Sequence, residues 1–208
     1  MLGQWLDWSL DGQLPDKKQG VFPSGSYHLY APGVLELTPN TASHAAHACI
    51  FSAAIHGNET APVELIGEWL SCLEAGSAIL GAPVLVILGN LPALKAQQRF
   101  MTTNLNRLFK RELRAEGEEP ERARALMAAV DDFYARHSGL PKLHYDLHTA
   151  IRDSRYPRFV VEPFADSSTD AEQWDWLAAA DMQAGLHQHR SKRYGVSKTY
   201  VCPAHSVK

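Results

Sequence analysis

The apolar positions of this chain fall into short continuous runs and longer periodic ones that alternate along the sequence. Residues 48–55 form a run of small and β-branched side chains ended by His56-Gly57, and Val84–Leu88 is a second run, ended by Gly89-Asn90. Runs of this length bounded by glycine predict strands buried on both faces. Between them Val63, Leu65, Ile66, Trp69, Leu70 and Leu73 recur at helical spacing, with Pro62 in the first turn and Gly76 as the stop. Tyr27, Leu29, Pro32-Gly33 and residues 34–37 predict two short strands joined by a turn.

Further along, residues 92–98 suit a short helix, and 122–137 a longer one with Ala125, Leu126, Ala129, Val130 and Phe133 on one face. Residues 145–148 and 159–161 predict strands, and a helix is expected from Asp170 to about Leu186. Residues 112–121 read as an exposed charged connection, and the first 25 residues give only Trp5, Leu6 and Trp8 as packing candidates. Strands alternating with helices predict an α/β fold with a mixed, largely parallel sheet flanked by helices. No repeat or linker divides the chain, so residues 1–208 are expected to form one domain.

Composition narrows the function classes. An apolar fraction of 45% with 21% charged residues suits a globular protein, and a net charge of −3 lacks the basic footprint of a nucleic-acid binder. No apolar stretch reaches the length of a membrane span, and the N-terminus shows no basic-then-apolar leader. Cys49, Cys72 and Cys202 are odd in number and far apart, so the expected setting is a reducing cytoplasm without a disulfide framework.

The chemistry gathers in three places. His56-Gly57-Asn58-Glu59 lies on the loop at the carboxyl end of a predicted buried strand, where open α/β sheets place their sites. An imidazole and a carboxylate three residues apart can converge on one small cation. His148, at the end of a second strand-like run, completes the His₂Glu set of a catalytic zinc site with one open position. Spacing alone also allows an ordinary hydrogen-bonded His148 and a Glu59 placed to favour a helix N-terminus. Arg99, Asn106 and Arg107 follow the strand at residues 84–88; they offer a clamp for a substrate carboxylate, or surface arginines on a helix.

Taken together, residues 55–64 (I-H-G-N-E-T-A-P-V-E), Gly89-Asn90 with Pro92-Ala93-Leu94-Lys95, Asn106-Arg107-Leu108-Phe109, and Asp146-Leu147-His148-Thr149-Ala150-Ile151-Arg152 resemble the succinylglutamate desuccinylase and aspartoacylase family of the zinc carboxypeptidase-like fold. Residues 33–39 resemble its N-terminal part. The extensions A-P-V-E and T-A-I-R favour the desuccinylase branch. The resemblance implies one Zn²⁺ per chain held by His56, Glu59 and His148, with Arg99, Asn106 and Arg107 binding the substrate and Asp146 supporting a ligand from behind. The implied reaction is hydrolysis of N-succinyl-L-glutamate to succinate and L-glutamate in arginine catabolism. The substrate is thus a small N-acyl amino acid, and neither nucleic acid nor membrane is expected as a partner.

One departure stands out. The family's general base is a glutamate in an L-E-L-G segment well beyond the last zinc ligand, and Glu172 is the last glutamate here, inside a predicted helix. The catalytic base is therefore unassigned, and the family's C-terminal β-domain is expected to be missing. The chain reads either as the N-terminal part of a longer protein or as a complete chain with a diverged tail. The alternatives to desuccinylation are a zinc-binding domain without useful turnover and an aspartoacylase-like deacylase. Oligomeric state is not legible.

Overall fold

A computed structural model describes residues 2–150, 155–162, 169–190 and 197–203. The chain divides into two compact units, Met1–Thr149 and Ala150–Lys208. The first is built on a six-stranded mixed sheet of β1 (Gln19–Phe22), β2 (Gly25–Ala31), β3 (Val34–Pro39), β4 (Ala48–Ala53), β5 (Val84–Leu88) and β6 (Lys142–Asp146). Their spatial order is β1-β2-β3-β5-β4-β6. An antiparallel meander, β1 to β3, leads into the parallel trio β5-β4-β6.

The helices of this unit are α1 (Trp5–Leu10), α2 (Ala61–Ala75), α3 (Leu91–Lys95) and α4 (Glu118–Arg136). Alternation along the strands decides which face each one covers. Val84, Val86 and Leu88 join Trp5 of α1 and Val63, Ile66, Leu70 and Leu73 of α2 in one core. Leu85 and Ile87 join Ile50, Leu126 and Phe133 in a second, on the face covered by α4. Every residue of β5 is buried, as its unbroken apolar run predicts. Helix α2 ends at Gly76, whose φ of 74° places it in the left-handed region that glycine tolerates best. Helix α4 is tied to the sheet at its far end, where buried Glu36 accepts from Arg136 at 2.5 Å and pairs with His137 at 2.9 Å.

Three expectations need correction. The edge strand β1 was not anticipated, because a four-residue segment with Gly20 inside it carries almost no strand signal. The stretch 112–121 is not all exposed connection, since α4 begins at Glu118 and buries Glu119; Pro120 and the acids are compatible with a first helical turn.

The third correction concerns the second unit. Helix α5 (Ala171–Ala179) stops well short of Leu186, and the chain turns at Asp181, whose φ is 61°. It then enters β8 (Ala184–Arg190), which pairs parallel to β7 (Phe159–Glu162) and antiparallel to β9 (Ser197–Pro203). Alanine, methionine and leucine are good helix formers, so local preference extended the helix where strand pairing prevails. No helix among the described residues is long and apolar enough to cross a membrane.

Candidate metal centre

Strand β4 delivers the first two residues of the site. At its end Ala54 adopts a left-handed conformation, φ 53°, at a cost of roughly 1–2 kcal/mol for a residue with a Cβ. The bend is fixed by the neighbouring strand end, where Gly89 N–H donates to Ala53 O and Asn90 N–H to Ala54 O, both at 2.8 Å. Gly57 then passes directly against α3. A Cβ there would stand 2.1 Å from the Ala93 carbonyl carbon and 2.2 Å from Leu94 N, so only glycine fits between His56 and Glu59.

Strand β6 brings the third residue. It runs parallel to β4 with Ser52 opposite Asp146, and Leu147 N–H donates to Ser52 O at 2.7 Å. His148 therefore leaves the strand end beside Glu59. The ligand atoms of His56, Glu59 and His148 lie within 4.8 Å of one another.

The buried Glu59 carboxylate is the centre of this group. His56 Nδ1 lies 2.9 Å from Oε1 and His148 Nδ1 lies 2.9 Å from Oε2, while Thr149 N–H donates to Oε2 at 2.9 Å and Arg99 Nη1 to Oε1 at 3.2 Å. Burial pushes the Glu59 carboxyl up, but the Thr149 amide and the two imidazoles outweigh it and hold it below the usual range.

Each imidazole turns its other nitrogen to a separate acceptor. His56 Nε2 lies 3.2 Å from Asn104 Oδ1, an oxygen that also accepts from Asn106 N–H at 3.0 Å. His148 Nε2 lies 2.7 Å from Asp146 Oδ2. Burial and the Arg99 charge lower the His56 pKa despite Glu59. A neutral His56 with its proton on Nε2, towards Asn104, points the Nδ1 lone pair at a carboxylate oxygen. Two acceptors facing each other at 2.9 Å suit a cation between them. His148 differs: Asp146 raises its pKa to about 9 against the opposing effect of burial, and Glu59 adds to the rise. Both of its ring nitrogens face a carboxylate, and a bound metal would stand in place of a proton on Nδ1. The donor set thus fits a divalent ion.

Of the residues singled out in the sequence, His56, Glu59, His148, Asp146 and Arg99 come together in one hydrogen-bonded cluster. Asn106 and Arg107 lie exposed on the 3-10 turn Leu105–Arg107, immediately after Asn104 and outside that cluster. Ile151 and Arg152, part of the T-A-I-R motif, lie outside the described residues. Sequence reasoning missed Asn104, Ser52 and His144. Ser52 donates to Asp146 Oδ1 at 2.8 Å and lies 2.9 Å from His144 Nε2, so an outer layer supports the acid that holds His148. Its signal was a lone hydroxyl within an otherwise apolar strand. Asn104 had none beyond its place in a polar loop.

Comparison with known proteins gives a consistent picture. Residues 45–204 match a model of the succinylglutamate desuccinylase/aspartoacylase catalytic domain. A succinylglutamate desuccinylase of Serratia proteamaculans is 40% identical over 181 residues, covering 86% of this chain and 54% of that protein. Its namesake from Yersinia enterocolitica is 36% identical over 189 residues, or 90% of this chain and 56% of that one. The chain therefore spans about half the length of the curated relatives it matches. Among solved structures, the succinylglutamate desuccinylase of Vibrio parahaemolyticus superimposes with a TM-score of 0.79 at 32% identity, covering 88% of this chain and 55% of that one. The enzyme of Chromobacterium violaceum gives 0.74 at 30% identity, covering 88% and 57%.

Proposed function

We propose, from the premise that the chain belongs to the succinylglutamate desuccinylase/aspartoacylase family, that it forms the metal centre and carboxylate-binding loop of an enzyme hydrolysing N-succinyl-L-glutamate to succinate and L-glutamate. The observation that carries this reading is the convergence of two imidazole Nδ1 atoms on the buried Glu59 carboxylate. His56, Glu59 and His148 would hold one Zn²⁺, an ion suited to two imidazoles, a carboxylate and an open position. When bound, zinc supplies an acidified water and a polarised carbonyl.

The rest of the work falls to the chain's own residues. Asn104 and Asp146 fix the two rings, so that both Nδ1 atoms keep their aim. Arg99 commits one guanidinium nitrogen to Glu59 and retains donors for a substrate carboxylate. Arg107 and Asn106, exposed further along the same segment, bind a carboxylate and orient the scissile amide. The proton needed by the leaving amine is assigned to no residue of this chain; the Glu162 carboxylate is engaged by the N–H and hydroxyl of Thr169. We place the reaction in the cytoplasm.

Titration calorimetry of zinc-loaded and zinc-free protein with N-succinyl-L-glutamate and N-acetyl-L-aspartate tests the proposal. It requires zinc-dependent binding, tighter for the succinyl compound. Tighter binding of N-acetyl-L-aspartate would favour an aspartoacylase-like deacylase, and binding indifferent to zinc would remove the metal from the account. Release of glutamate then separates an enzyme from a zinc-binding domain without turnover.

A further inference from the structure

The segment that carries Arg99, Asn104, Asn106 and Arg107 has little regular structure of its own, a single 3-10 turn. Its 101–103 stretch is gathered by one side chain from another element. Glu119, in the first turn of α4, is only 4% exposed, and donors surround its carboxylate. Oε1 accepts from Met101 N–H at 2.8 Å and Asn90 Nδ2 at 2.7 Å. Oε2 accepts from Thr102 N–H at 3.0 Å, the Thr102 hydroxyl at 2.7 Å and Thr103 N–H at 2.5 Å. Three consecutive backbone amides thus point into one carboxylate.

A buried charge is costly, and a group serving only as packing would be apolar. Burial pushes the Glu119 carboxyl up, yet the amides of Thr103 and Met101, the Thr102 hydroxyl and Asn90 bring it down to about 2. The base of this anchor is itself fixed. One turn on, Arg122 donates to the carbonyls of Gly89 at 2.9 Å, Leu88 at 2.7 Å and Pro32 at 3.0 Å. Asn90, which Glu119 holds by its amide nitrogen, also accepts from Ala93 N–H at 3.2 Å and so caps α3, the helix packed on Gly57. One carboxylate therefore ties the 101–103 loop to the element beneath the H-G-N-E turn, and the next residue, Asn104, faces His56.

We infer that Glu119 is a positioning residue: by gathering the amides of 101–103 it sets the loop that presents Arg99, Asn106 and Arg107 to the substrate and Asn104 to His56. The inference rests on the function proposed above for that loop. It concerns substrate affinity more than metal affinity, because His56, Glu59 and His148 stand on other segments and the loop reaches them only through Asn104 and Arg99.

Glu119→Gln is the direct test. Both carboxylate oxygens face donors only, so an amide nitrogen on either side opposes an N–H and frees half of the loop. Three quantities are read on wild type and variant: hydrogen exchange at amides 101–104, affinity for zinc, and affinity of the zinc-loaded protein for N-succinyl-L-glutamate. Exchange should accelerate and substrate affinity fall by about tenfold or more, a size typical of mispositioned binding groups, while zinc affinity falls by less than substrate affinity, because the loop supports the ligands only through Asn104 and Arg99. Thr102→Val, which removes one exposed hydroxyl donor and leaves folding safe, should move the same quantities in the same direction by less. Unchanged exchange in both variants would overturn the anchor, and faster exchange with unchanged substrate affinity would overturn its role in recognition. Should wild type itself fail to bind N-succinyl-L-glutamate, the functional reading falls, and the exchange result alone then upholds or overturns the anchor.

Discussion

The Nε2 atom of His148 lies 2.7 Å from Oδ2 of Asp146, and the other oxygen of that carboxylate takes the Ser52 hydroxyl at 2.8 Å. An acid behind a metal-binding imidazole fixes the ring and strengthens its basicity. Asp146→Ala is therefore expected to weaken zinc by about 10–100-fold, and Ser52→Ala, one bond further out, by less. Chelator competition measures both. Equal affinity in Asp146→Ala and wild type would show that His148 keeps its aim without help.

Two glycines predict opposite signs. A Cβ at Gly57 would enter the backbone of α3, whereas at Gly67, inside α2, it meets nothing within 4 Å. Gly57→Ala should cost about 1–3 kcal/mol or more of stability and weaken the metal site with it. Gly67→Ala should add up to about 1 kcal/mol through helix propensity. Denaturant unfolding of the metal-free proteins checks the pair; loss in both would remove the argument from close packing.

Acid should act through Glu119. Its carboxyl sits at about 2, below the ordinary 4.5, so the folded state favours the ionised form. The resulting stability is complete above the unfolded value and is lost as pH falls through the folded one, with a ceiling of about 3 kcal/mol. The stability gap between wild type and Glu119→Gln should thus be widest above pH of about 5 and narrow towards pH of about 3. A gap independent of pH would contradict the ionised anchor.

Arg107→Ala should lower affinity for N-succinyl-L-glutamate by the worth of a charge-assisted hydrogen bond, roughly 1.5–3 kcal/mol, and leave zinc in place. Calorimetry on the zinc-loaded variant reads both. Unchanged affinity would remove Arg107 from the substrate loop.

Much of the sheet was legible because its central strands are largely buried, β5 on both faces. The run Val84–Leu88 coincides with β5, and the run from Ala48 begins with β4. The His56, Glu59 and His148 cluster was legible through residue type at strand ends. What stayed hidden depends on distant pairing. Ser52 meets Asp146 only once β4 and β6 are in register, and Glu119 is one acid among several until the 101–103 loop folds onto it. Helix α5 was overextended for the same reason: the pairing of β8 with β7 is decided by residues far apart in the chain.

The account stands on one metal centre, and its most direct test is the metal content of the purified protein beside His148→Ala. In this account His56, Glu59 and His148 would supply the ligand atoms, so wild type should carry one zinc per chain and the variant markedly less. Equal zinc in the two proteins would contradict it.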